Sequence, residues 1–333
     1  MTENIRDDAA RTVAGQAGYL IRLAARAPSL HNTQPWRFKV SQDALELYAD
    51  TKRQLRVDPD GREMLISCGA ALYGLRLAIR SLGRMPEVEL LPDTAATGGR
   101  RPLAQVRLGP AAPVTAAEQQ MLKAVPHRHT HRGPFESGPL PAGLLPRLQD
   151  DARAEGATLI VIDSERARDE LAAIVAASGR RQDRDPESRA ETCVWTRDAS
   201  SLARDGVPAH AFPGVPRREA GQLPQRDFDF GRGLGLLAVG GAAAPVTAVL
   251  VTPGDGEKDW LHAGQALNRL LLRAATQWVF ADLNTQPLED VATRTHIKDC
   301  LTLPGSPQML LALGINRTTH PTGRRPAAEL TGL

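Results

Sequence analysis

The chain has 333 residues, 42% of them apolar, and a formal net charge of +3 spread over arginines scattered among acids, so one large domain or two fused ones can be built while nucleic-acid binding is not implied, the aromatics being only 4%. Cys68, Cys193 and Cys300 are far apart and lack CxxC spacing, which argues against a disulfide framework or a zinc site and for a reducing compartment. The polar start MTENIRDDAARTV has no signal-peptide core, and no apolar run approaches the roughly 20 residues of a membrane helix, so a soluble cytoplasmic protein is expected.

In chain order, a helix over about 10–27 puts Val13, Ala17, Leu20, Ala24 and Ala27 on one face and is closed by Pro28. Strands follow at 36–40 and 44–49. Asp58-Pro59-Asp60 then reads as the capped start of a long helix that ends at Gly83. Strands near 87–91 and 103–109 complete a first half. HRHTHRGPF (127–135) opens a second half with the same order: a helix over 140–156, a strand at 157–163, a strand at 246–252, a helix over 259–277, a short strand, and a strand at 307–314. Gly69, Ala71, Leu72, Leu75 and Leu77 of one central helix align without a gap on Gly264, Ala266, Leu267, Leu270 and Leu272 of the other, which points to an internal duplication. The intervening stretch, about 180–235, is charged and then rich in Pro and Gly, the composition of a functional lid or a disordered segment. GRGLG (231–235) lacks the preceding strand of a dinucleotide fingerprint and reads as a lid hinge.

Four stretches carry chemistry. APSLHNTQPWRF (27–38) crowds Ser29, His31, Asn32 and Gln34 at a helix end, more polar groups than capping requires. At RHTHR (128–132) and the preceding residue, His127, His129 and His131 alternate, but the neighbouring arginines repel a cation and favour an anion, so no metal site is expected. GRRP (323–326) is a basic pair near the end of the chain, and ADLNTQPLED (281–290) is a helix start with Pro and acids in its first turn.

The first stretch resembles the PS-xx-N-x-QPW segment of the flavin-dependent nitroreductase family, which lies against the isoalloxazine of FMN; this implies that Ser29, His31, Asn32 and Gln34 form a ring wall. R-x-[ST]-x-[RK] followed by an aromatic is similar to the family's flavin-phosphate motif. That likeness implies Arg128 and Thr130 on the phosphate and Arg132 at the N1/O2 edge. The family commonly places a basic pair after the last strand, matched by Arg324 and Arg325, although its Gly-aromatic-Pro is here Gly314-Ile315-Asn316. The turn at 281–290 corresponds to one that gives a backbone amide to flavin N5, with Thr285 and Gln286 as candidates.

Ordinary members are homodimers with a site at each interface, whereas here each motif occurs once, in opposite halves. That pattern resembles the actinobacterial Acg-like branch. The implied fold is α+β, a nitroreductase-like three-layer sandwich of two duplicated halves (10–112 and 113–333) forming an intramolecular pseudo-dimer with a lid-like insertion at about 180–235. The implied cofactor is one FMN, with NAD(P)H as electron donor, and the chain is expected to be monomeric because its dimer is fused. Arg and hydroxyl donors suit a phosphate, and a cation near N1 favours the anionic reduced ring. The chemistry would be the cofactor's, so no catalytic side chain is named. Two functions are compatible with this: an oxidoreductase passing hydride to a nitroaromatic, quinone or similar acceptor, and a flavin-sequestering protein whose lid closes over FMN. A non-flavin interaction protein would leave the four polar clusters unexplained.

Overall fold

Helical spacing of apolar residues and a Thr12 cap, whose Oγ1 accepts from the Gly15 amide at 3.1 Å, produce the first helix of the computed structural model, α1 (Val13–Ala24). The structure describes residues 12–93, 101–216, 221–237 and 243–332, so the expected helix start at 10–11 lies outside the described residues. β1 (Trp36–Val40) and β2 (Ala44–Ala49) follow, then α2 (Arg62–Ser81), β3 (Arg84–Leu90) and β4 (Ala104–Ala111). Asp58 starts α2 by accepting from the amides of Glu63 at 3.0 Å and Met64 at 2.9 Å. The strands form an antiparallel sheet in the order β1-β2-β4-β3. Along β1, Trp36 and Phe38 are buried while Arg37 and Lys39 are not, the alternation of a sheet with one covered face.

The chain continues through α3 (Ala116–Ala124), α4 (Leu144–Ala154), β5 (Thr158–Val161), α5 (Glu165–Arg184), α6 (Pro186–Val194), β6 (Thr196–Arg197) and β7 (Val207–Pro208). It ends with β8 (Val246–Thr252), α7 (Glu257–Ala275), β9 (Val279–Asn284), α8 (Val291–Cys300), β10 (Ser306–Ile315) and α9 (Ala327–Leu330). The second sheet is also antiparallel, in the order β5-β8-β10-β9, so first, second, fourth and third strands lie side by side as in the first sheet. Here both faces are covered. Leu250, Met309, Leu311 and Leu313 pack with α4 and α7, and Val249, Val251, Leu310 and Ala312 pack with Leu171 and Val175 of α5 and Ile297 of α8. This makes the run MLLALG a central strand. Four helices are not expected from the sequence: α3, α5, α6 and the four-residue α9. α3 buries only Met121 and Ala124 and owes its start to a Thr115–Glu118 capping box. α5 buries only Leu171, Val175 and Ser178, and α6 only Thr192, so neither carries a strong apolar stripe.

The long central helices α2 and α7 cross between the sheets. A Cβ on Gly69 would sit 2.3 Å from the Leu261 carbonyl oxygen, and one on Gly264 would sit 1.9 Å from the Ile66 carbonyl oxygen. In the ungapped alignment Leu261 is the counterpart of Ile66 and Gly264 of Gly69, so the contact is one pairing read in both directions. Asn268 adds a buried hydrogen bond to the Ala70 carbonyl at 2.7 Å.

Two segments leave the second sheet and lie on the first. The stretch after α5 reaches across through Arg53–Asp205 at 2.9 Å and through Glu191, which accepts from the Arg56 amide at 2.7 Å. The end of the chain lays Thr331 beside Phe38 of β1. GRGLG is a pinned turn: the Asp229 carboxylate accepts from the amides of Gly233, Leu234 and Gly235, while Gly231 and Gly233 take φ of 74° and 69°.

Gly264→Ala is expected to lower stability by about 1–3 kcal/mol or more, because both neighbours at the crossing are backbone and cannot turn aside. An unchanged urea midpoint would contradict this account of the crossing.

Candidate functional site

The chain leaving α1 carries most of the first wall. His31, Asn32 and Gln34 take φ of 48°, 56° and 52°, three left-handed residues within four positions. Such backbone is costly outside glycine and persists where surrounding bonds enforce it. The enforcing bonds come from the two segments that cross over. Asn32 Nδ2 donates to the carbonyls of Gly206 at 3.0 Å and Gly323 at 3.2 Å, and its Oδ1 accepts from Arg324 at 3.0 Å. Gln34 Nε2 donates to the Arg204 carbonyl at 2.8 Å, and its Oε1 accepts from the Arg325 amide at 2.9 Å. Both amides expected at a ring edge are thus committed to tying the insertion and the tail to this corner. Ser29 Oγ accepts from the Gln34 amide at 3.0 Å and closes the loop.

Ser29, Leu30 and His31 line a cleft whose opposite wall comes from the second sheet: Thr130, Arg132, Asp282 and Thr285. The second wall is positioned by a short pairing beside β9, in which the His131 amide donates to the Ala281 carbonyl at 2.9 Å. Phe135 anchors the same segment by packing its ring against Gly314, where a Cβ would sit 2.3 Å from the ring. The floor is Ile66, Leu267 and Met309 beside the helix crossing. Phe228, one of the aromatics of the 180–235 stretch, covers this face. Its ring meets His31 edge-on at 5.4 Å and lies under the Arg132 guanidinium at 5.3 Å. Trp195 instead lies between Arg53 and Arg197, Phe230 lies under Arg189, and Phe212 packs behind Phe228.

Beyond Arg132 the site becomes cationic. Arg128 and Arg324 converge on the C-terminal end of α1, where Arg128 donates to the Arg26 carbonyl at 2.6 Å and Arg324 to the Arg26 and Ala27 carbonyls at 3.3 and 3.0 Å. Burial and then the neighbouring Arg26 and Arg132 pull the Arg128 guanidinium down to about 10, and burial with Arg128, Arg26 and Arg132 holds Arg324 well below its ordinary value. Burial and the Arg226 charge, against Asp282, likewise bring Arg132 to about 10. Arg324 Nε and one terminal nitrogen of Arg132 are buried without a partner. Capping carbonyls explains part of this cluster. It does not explain crowded cations with donors left over, an arrangement an anion would complete.

Arg226, from the insertion, reaches into the cleft. It donates to His31 Nε2 at 2.6 Å and to Glu289 at 2.6 Å, which in turn accepts from Thr285 Oγ1 at 3.1 Å. Burial, then Arg226 and Arg132, keeps His31 neutral by lowering its pKa well below the ordinary value. The histidines of RHTHR make hydrogen bonds within the protein: His131 bonds the Pro134 carbonyl and Asn316, and His129 bonds the His127 carbonyl. Among the described residues no cluster suited to a metal ion occurs.

The structure therefore gathers Ser29, His31, Thr130, Arg132 and Thr285 at the cleft and Arg128 and Arg324 behind it. One expected side chain stands apart: the Arg325 guanidinium turns to Glu329. The Gln286 side chain bonds Gln182 at 3.0 Å, and its candidacy rests on the backbone amide of the turn. Arg26, Glu63, Arg226 and Glu289 were missed. Arg26 had a signal, a base at a helix C-terminus next to the motif, whereas Arg226 had none because its partners come from distant segments.

Burial pulls His129 down to about 3, so its folded pKa lies below its unfolded one and its stabilising contribution is present above about 6.5 and lost on acidification. The stability advantage of the wild type over His129→Asn should shrink by about 2 kcal/mol between pH 6.5 and about 5. Urea unfolding at the two pH values checks this; a constant difference would show that His129 titrates normally.

No family model matches the chain. A Mycobacterium tuberculosis protein provisionally named an NAD(P)H nitroreductase is 35% identical over 322 residues, 93% of this chain and 89% of that one. The provisionally named NAD(P)H nitroreductase Acg of the same organism is 28% identical over 316 residues, 93% of each chain. Among solved structures, a nitroreductase with bound FMN from Desulfitobacterium hafniense matches with 13% identity and a TM-score of 0.40, covering 64% of this chain and 98% of that one. With 35% identity along almost its whole length to the first of these, the chain belongs to the NAD(P)H nitroreductase family.

Proposed function

We propose that the protein is an FMN-binding oxidoreductase that passes hydride from NAD(P)H to a small acceptor, a nitroaromatic, a quinone or a similar compound. The observation that carries this reading is the buried cluster of Arg128, Arg132 and Arg324, with unpartnered donors, at the end of a cleft walled by Ser29–His31 and Thr285. FMN joins a dianionic phosphate to a flat ring with a polar edge, and the residues present fit both ends. Arg128, Thr130 and Arg324 would hold the phosphate. Arg132 would face the pyrimidine edge, the 28–31 segment and Phe228 would enclose the ring, and the turn at Thr285 and Gln286 would meet N5. When bound, FMN supplies the hydride chemistry. Asn32 and Gln34 act one step back, holding the insertion and the tail against the wall.

The two sheets with their shared strand order are, on this reading, two nitroreductase-like halves, 10–112 and 113–333, fused into a pseudo-dimer that works as a cytoplasmic monomer. One FMN per chain is expected. At the equivalent corner of the second half, the end of α4 is closed by ions: Glu155 pairs with Arg76 and Arg269, and Asp151 pairs with Arg269 and Arg273. With each of these guanidiniums already paired to a carboxylate, that corner suits a phosphate less well than the Arg128 cluster.

A second reading, flavin sequestration, is favoured by one observation: Arg226 and Phe228 of the insertion close on the cleft through His31 and Glu289. NAD(P)H oxidation with excess menadione or nitrofuran separates the two. Fast turnover supports the enzyme, and tight FMN with negligible turnover supports the store. Titration of the purified chain with FMN should saturate at one flavin per chain, and two would reject the fused single-site arrangement. A colourless protein that takes up no FMN would reject both readings.

Arg128→Ala should weaken FMN binding about tenfold to a hundredfold, the worth of a charge-assisted hydrogen bond. Arg132→Ala should lower the bound flavin's reduction potential more than its affinity. Wild-type affinity and potential in both variants would leave RHTHR as a structural basic loop.

A further inference from the structure

We propose that Glu63 is the proton donor of this cleft, its carboxylic acid giving the proton that accompanies hydride transfer to a quinone-type acceptor. The proposal rests on the oxidoreductase reading. Glu63 stands in the first turn of α2, is 3% exposed, and lines the cleft with Ile66 and Ser67 of its own helix and Thr285 of the opposite wall. Its Oε1 accepts from Arg62 at 2.8 Å, but that guanidinium also donates to the Gln308 backbone carbonyl at 3.0 Å and side-chain oxygen at 2.9 Å. Oε2 is buried and unpartnered. An ionised carboxylate oxygen left so is costly, whereas a proton there removes the charge and turns the atom into a donor.

An acid in the first turn of a helix is ordinarily an ionised partner of the helix amides. In this helix Asp58 has that task, with both carboxylate oxygens on the amides of Glu63 and Met64. The charged groups around Glu63 come from several segments: Arg62 on its own helix, Asp58 before it, Glu289 from the opposite wall and Arg226 from the insertion. Arg226 is engaged with Glu289 and His31, and Arg62 is divided between Glu63 and Gln308. Three carboxyls thus meet two guanidiniums and a neutral histidine, so one carboxyl has no counter-charge. Glu63, which lines the cleft, is the one with an unpartnered oxygen. Burial, opposed by Arg62 and helped by Glu289 and Asp58, pushes its carboxyl up to about 8, which keeps it protonated at neutral pH.

The step balances. A hydride delivered to one quinone oxygen brings two electrons, breaks the carbonyl π bond and leaves the other oxygen anionic. The O–H bond of Glu63 breaks, a new O–H bond forms on that oxygen, and hydroquinone and the Glu63 carboxylate result. Dihydronicotinamide is the ultimate reductant, and solvent returns the proton to Glu63.

The test uses the full chain and the variants Glu63→Gln and Glu63→Asp. In the infrared spectrum of the wild type, a carboxylic-acid carbonyl band should be present at neutral pH, fade as pH rises through about 8, and be missing from E63Q. In rapid mixing of FMN-loaded protein, reoxidation of the reduced flavin by menadione should slow about 100-fold in E63Q. E63D should recover part of that rate, and the wild-type rate should fall above the same pH. No acid band in the wild type at neutral pH, or menadione reoxidation unchanged in E63Q, would overturn the proposal. If E63Q does not fold, a wild-type reoxidation rate that stays flat across that pH range overturns it instead. A wild type that takes up no FMN would overturn the oxidoreductase reading, and the donor role with it, even where the band is seen.

Discussion

The close crossing of α2 and α7 is the constraint on which the rest of the molecule depends. Backbone meets backbone at Gly69 and Gly264, with no room for a β-carbon on either helix. Helices separated by side chains could slide and re-register. Helices in backbone contact cannot, because protein interiors resist both voids and overlap. The crossing fixes where the end of α1, packed on α2, stands relative to β9 and the 128–132 segment, packed around α7. The cleft is the space left between these two fixed edges, and its floor is Ile66 and Leu267 of the crossing helices with Met309 of β10.

Strain and charge are then concentrated at the cleft. Three left-handed residues within four positions would be unstable in an isolated loop, yet every hydrogen-bonding group of the Asn32 and Gln34 side chains finds a partner in the insertion or the tail. Buried polar groups satisfied to this degree impose a single arrangement. The cations behave in the opposite way. Arg128 and Arg324 cap carbonyls, Arg128 helps depress Arg324, and Arg324 and Arg132 retain unmet donors, so the cluster leaves an energetic demand for negative charge. The acids on the other side of the cleft also have an uneven count, which leaves Glu63 neutral. A cleft with excess cation at one end and a protonated acid at the other suits a long ligand that is anionic at one end and undergoes proton-coupled chemistry at the other.

The insertion links the two demands. Residues 204–206 hold the strained corner, Phe228 covers the cleft, and Arg226 joins His31 to Glu289. A cover fastened through charged hydrogen bonds excludes water, which strengthens every electrostatic interaction beneath it.

Much of this was legible in the sequence because it depends on local order. Alternation located β1 and β2 to the residue, and the apolar stripes of α2 and α7 located the two long helices, while the contact between their matched Gly positions emerged only in the fold. The short motifs marked the two walls, since a Pro-ended helix followed by clustered polar residues, and alternating Arg, are patterns along the chain. α3, α5, α6 and α9 were not legible, because helices that bury one to three side chains leave no periodic signal. Only the tertiary structure decided which side chains face the cleft. It turned Asn32, Gln34 and Arg325 toward structural partners and brought in Arg226 and Glu63, whose roles follow from neighbours up to about two hundred residues away. The physical reason is that a residue's type sets which bonds it can make, whereas burial and the charges that fold against it determine which bonds it does make and whether it keeps its proton.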